Sequence, residues 1–74
     1  MEYERIENDV KNFILNELKA AKKYPDTALN SRAIAFGALQ FAINYLFPSY
    51  NYDLANWWQK EIWGQFTNCI KNNT

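Results

Sequence analysis

"SRAIAFGALQFAINYLF", residues 31–47, carries no charge after Arg32 and places an apolar side chain on almost every face of a helix. Advancing ~100° per residue, only Ala33, Gly37, Gln40 and Asn44 share a stripe that is small or polar. Ile34, Phe36, Leu39, Phe41, Ile43, Tyr45, Leu46 and Phe47 surround it. A helix apolar around its circumference is buried on more than one side. The stretch therefore predicts the central helix of an all-α fold, with the others packed against it. Small residues spaced by four allow close backbone approach, and Gln40 or Asn44 can hydrogen-bond across such a contact. The stripe is a candidate helix–helix contact, within the chain or between two copies. Were it merely solvent-facing, Gly37 would cost ~1 kcal/mol relative to alanine.

On either side the chain is punctuated by proline. "YPDT" (24–27) and "FPSYN" (47–51) close helical patterns, because the residue before proline is pushed out of the α region. Ser49 or Asn51 can cap the third helix. Before the first break, Tyr3, Ile6, Val10, Phe13, Ile14, Leu18 and Ala21 form an i, i+3, i+4 stripe. Glu2 and Glu4 at its start and Lys22 and Lys23 at its end complement the helix dipole, and Glu7 with Lys11 makes an i,i+4 pair. After the second break, Leu54, Trp58, Ile62, Phe66, Cys69 and Ile70 share one arc. The expectation is a single small three-helix domain, residues 1–74, with helices at about 2–23, 29–47 and 52–71 and no strand. The second helix is central, and dimerisation is one way to complete its burial.

The totals narrow the function. In 74 residues, 49% are apolar and 18% aromatic. A core of this size supplies only ~3–5 kcal/mol without help. The single cysteine cannot close an internal disulfide, and with no histidine it cannot join a Cys/His zinc site. Dense packing or association with another chain must supply the rest. Eight basic and eight acidic side chains cancel, so the basic stripe of a nucleic-acid binder is missing. Lys19, Lys22 and Lys23 form the one basic cluster, at a helix end where the dipole favours them. The uncharged run 33–52 loses its apolar character after Phe47, short of the ~20 residues a membrane span needs. The N-terminus is acidic, unlike a secretory leader. These features predict a cytoplasmic protein that does not enter membranes.

No catalytic constellation appears. Without histidine the commonest general base near neutral pH is gone. Cys69 lies on the apolar arc and reads as a buried thiol, and Ser31 and Ser49 read as cap or turn residues. Gly37 and Gly64 sit inside helical patterns, so there is no phosphate-cradling loop. The expectation is no enzyme activity, no cofactor, no metal and no small-molecule substrate. Glu17 falls inside the apolar stripe of the first helix, where a carboxylate is costly unless paired. Arg32 is its natural partner, in a buried or interface ion pair.

"WWQKEIWG", residues 57–64, supplies the candidate binding residues. Measured from Ile62 at ~100° per residue, Trp58 lies ~40° away and belongs to the core. Trp63 lies ~100° away, at its margin, and Trp57 ~140° away, among Lys60, Glu61 and Gly64. Trp57 is therefore expected on the outside unless Tyr50 and Tyr52 fold over it. Exposed tryptophan beside polar residues is typical of binding hot spots.

The leading expectation is a non-catalytic protein–protein interaction module that self-associates as a homodimer or docks on a larger protein through an aromatic helical face. Ten asparagines with abundant Lys, Ile, Tyr and Phe match the bias of an A/T-rich genome, pointing to a low-GC bacterium or its phages. The second expectation rests on that bias: a small phage or mobile-element inhibitor of a host enzyme or defence complex. Nucleic-acid binding ranks third, and would need Lys19, Lys22, Lys23 and Arg32 on one face.

Overall fold

The structure, a computed structural model, describes residues 2–46 and 51–72. It is all-α, with no strand among the described residues. Helix α1 spans Glu2–Lys23 and meets the short 3-10 turn Pro25–Thr27. Helix α2 spans Ala28–Phe41 and widens into a π turn over Ala42–Leu46. The third helix runs through α3 (Asn51–Trp57), a π turn at Trp58–Ile62 and α4 (Trp63–Asn72). Tyr50 lies outside the described residues, as does the side chain of Tyr52.

The first reversal forms where the proline places it. Pro25 begins the 3-10 turn, where its missing N–H removes no needed bond. The Tyr24 carbonyl accepts from both the backbone N–H and the hydroxyl of Thr27, at 2.9 and 2.8 Å. Helix α1, about 33 Å long at 1.5 Å per residue, sets the longest dimension of the 40 × 17 × 16 Å bundle. The Glu7–Lys11 pair forms at 3.2 Å.

Helix α2 packs against both α1 and α4. It does so through a stripe of small residues other than the one the sequence singles out. Ala28, Ser31, Ala35 and Ala42 are buried with Leu39, and Ser31 is an interior position of α2 rather than a cap. Against this stripe lie Ile14, Leu18 and Ala21 of α1 and Leu54, Trp58, Ile62, Phe66 and Cys69 of the third helix, in one core cluster. Ala33, Gly37 and Asn44 face outward and Gln40 is half-buried, with Asn44 donating a hydrogen bond to Gln40 at 3.3 Å. The stripe is therefore not a contact within the chain. Alanine recurs often enough in α2 to make two smooth stripes, and spacing alone does not tell which one meets α1.

One consequence is that the burial all round α2 is not reached in a single chain. With small side chains and Leu39 turned inward, five large ones turn out: Leu29, Ile34, Phe36, Phe41 and Tyr45 are all exposed.

The third helix shows why its phase departs from ideal α geometry. Its buried residues Leu54, Trp58, Ile62 and Phe66 recur every fourth position. At 3.6 residues per turn such a row drifts about 40° per step away from the core. The π turn, with its i→i+5 pattern, advances less per residue and brings the row back into line. It therefore rotates the residues before it relative to those after it.

Candidate functional site

The rotation at Trp58–Ile62 rearranges the three tryptophans. Trp58 is buried, as expected, and its ring lies 5.9 Å from Phe66 and 5.8 Å from Phe36. Trp57 is not the outlier: it is half-buried and packs against the core, with Lys11 Nζ 5.3 Å from its ring centroid. The wider turn brings a residue five positions before Ile62 back towards the core, where a uniform α advance would have sent it to solvent. Trp63 is the exposed one, at 40%, and its ring lies 6.2 Å from that of Trp58. Lys60, Glu61 and Gly64 are exposed, and Gly64 has open space where a Cβ would stand.

Arg32 does not pair with Glu17. Its guanidinium carbon sits 4.6 Å from the Trp63 ring centroid, a cation–π contact. Among the described residues no carboxylate is within ion-pair distance of Arg32. Glu17 is half-buried at the edge of the α1 stripe, where water still reaches its carboxylate. Lys22 instead bridges to the third helix, donating to Gln65 Oε1 at 2.7 Å.

Two surface features result. The first is a groove of about 620 Å³ between α2 and the third helix. Leu29, Phe36, Ile43, Trp58 and Trp63 give it apolar walls, and among the described residues Arg32 is the one charged residue lining it. Ala33 and Gln40, two members of the outward stripe, also reach it. Sequence spacing could not reveal this groove, because it depends on which stripe of α2 turns inward.

The second feature is a ridge on the other flank of α2. Ile34, Phe41 and Tyr45 project there at i, i+7 and i+11, separated from Leu29 and Phe36 by the Ala33–Gly37–Asn44 stripe. Lys11 and Lys22 reach Trp57 and Gln65, so their flank of α1 faces the third helix. Phe13, at helical spacing on the opposite flank of α1, is exposed.

The tryptophan geometry makes a simple prediction. Trp57→Ala should destabilise the fold by about 2 kcal/mol, because it removes packing from the core edge. Trp63→Ala should cost under about 1 kcal/mol, as exposed positions usually do. Urea titrations followed by circular dichroism read both, and the reverse order would restore Trp57 to the outside.

Among the described residues no helix is long and apolar enough to cross a membrane, and no cluster of metal-ligating side chains occurs. No family model matches the chain, and no curated protein or solved structure is significantly similar to it.

Proposed function

We propose that this chain is a non-catalytic protein–protein interaction module that self-associates through the outer face of α2. The observation that carries this reading is the outer face of α2: alanine and serine, with Leu39, fill the core side while Leu29, Ile34, Phe36, Phe41 and Tyr45 stay exposed. Folding alone leaves part of their hydrophobic stabilisation unused, in proportion to the area still exposed.

The area available supports a second copy as the occupant. Ile34, Phe41 and Tyr45 are 43%, 56% and 74% exposed. With ~150–250 Å² for each aromatic side chain and somewhat less for isoleucine, they offer roughly 350 Å². The stripe of small residues beside the ridge adds to this area, towards the ~800 Å² per partner of a stable interface. A stripe of small residues beside one apolar ridge is also self-complementary, since the ridge of each copy can seat on the stripe of the other about a twofold axis. In such a contact Gly37 has a use, letting the two α2 backbones approach.

Gly37→Ala tests this contact without touching the core, because a Cβ there meets nothing within 4 Å in the single chain. The substitution should stabilise the dilute monomer by about 0.4–1 kcal/mol while weakening the dimer. Thermal melts at low concentration and sedimentation equilibrium separate the two effects. Association as strong as in the wild type would remove Gly37 from the interface.

A further inference from the structure

We propose that the groove between α2 and the third helix is a binding site for an alkyl carboxylate, a flexible apolar chain ending in a single anionic headgroup. This goes beyond self-association and lies on the opposite flank of α2 from Ile34, Phe41 and Tyr45.

Three observations converge. The groove, about 620 Å³, falls within the ~300–1,000 Å³ of small-molecule sites and has their composition, apolar walls with few polar groups. Among the described residues its one charge is the Arg32 guanidinium, held at the wall by the Trp63 ring. A guanidinium takes a carboxylate through two parallel N–H···O bonds, and Arg32 has no carboxylate partner among the described residues. Charge complementarity therefore calls for an anion at this end of the groove and apolar bulk along the rest. The aromatic walls distinguish a chain from a flat ring. Trp58 and Trp63 are inclined by 49°, and Phe36 and Trp58 by 50°, so these rings form no parallel-sided slot. Tilted rings offer edges and faces at varied angles, to which an alkyl chain conforms and a planar ligand does not.

Anchoring uses the same geometry. The carboxylate accepts from the Arg32 N–H groups, and the methylenes displace water from Leu29, Phe36 and Ile43. Gln59, also on the wall, adds a carboxamide donor to the groove.

The test uses dodecanoate, below its micelle concentration, with dodecan-1-ol and dodecyltrimethylammonium as neutral and cationic counterparts. Binding is read from the indole N–H resonances of the full chain. Dodecanoate should shift Trp58 and Trp63 in a saturable manner and move Trp57 far less. Arg32→Gln should weaken dodecanoate by about tenfold and leave dodecan-1-ol unchanged, and Arg32→Glu should favour the ammonium over the carboxylate. Should the Arg32 variants fail to fold by circular dichroism, the wild type alone carries the test, since it should bind dodecanoate more tightly than dodecan-1-ol and the alcohol more tightly than dodecyltrimethylammonium. The proposal is overturned if dodecanoate shows no saturable shift, if the alcohol binds the wild type as tightly as the acid, or if Arg32→Gln leaves the acid unaffected. Each readout holds whether the chain is monomeric or dimeric, so failure here is distinct from failure of self-association.

Discussion

Phe66→Ala is expected to unfold the isolated chain at room temperature. Phe66 is fully buried, stacked at an angle against Trp58, and is the largest of the side chains sealed completely in the core. Truncating a buried phenylalanine costs about 3–5 kcal/mol, from lost transfer energy and the cavity left behind. A core of this size supplies about the same amount in total, so nothing remains to hold the three helices together. Far-UV circular dichroism should show loss of most helical signal. Phe66→Leu, closer in volume, should stay folded with a lowered melting temperature. Retention of a cooperative melt by Phe66→Ala would mean that stability resides elsewhere, in an interface rather than in the core.

Ile34→Glu combined with Phe41→Glu should have the opposite profile, with large loss of association and little change in the fold. Both side chains are exposed in the single chain, so charges there are solvated and surface substitutions usually cost within about 0.5 kcal/mol. In a twofold dimer each carboxylate would be desolvated opposite its own copy, and each change is counted twice. The dimer Kd should rise by roughly a hundredfold or more, with helical content and the dilute melting temperature retained. Should the variant lose its helicity instead, Ile34 and Phe41 belong to the core and the orientation of α2 is other than described.

The difference between these two outcomes traces to what a residue pattern can carry. The three helices and the first break are legible because apolar spacing and Pro25 are local signals, and α1 begins and ends where expected, while the second break, with Pro48 and Ser49, lies outside the described residues. Orientation within α2 is not legible. A helix with alanines at 28, 33, 35, 38 and 42 has more than one smooth face, and the choice between them is made by the partner side chains Ile14, Leu18 and Trp58. The tryptophans show a subtler limit. Spacing places Trp58 correctly because it lies one turn from Ile62, whereas it misplaces Trp57 by carrying a uniform advance through a segment that is locally a π turn. The fourfold spacing of Leu54, Trp58, Ile62 and Phe66 is the sign in the sequence that this helix must widen. Charge alone matches Arg32 to Glu17, while the ring of Trp63, closer in space, holds it.

The site divides in the same way. Spacing puts Gln40 and Asn44 on one face, and they do share it, with a hydrogen bond between them. That this face is outside and borders a groove on one side and a ridge on the other requires the tertiary arrangement.

Self-association through α2 is tested most directly by the mass of the wild-type chain in solution as a function of concentration. Sedimentation equilibrium should give a mass approaching twice 8.8 kDa at high micromolar concentration and falling towards 8.8 kDa on dilution. The Ile34→Glu, Phe41→Glu variant should remain at 8.8 kDa throughout. A wild-type chain that stays at the monomer mass across that range would contradict the account and leave the outer face of α2 to a different protein.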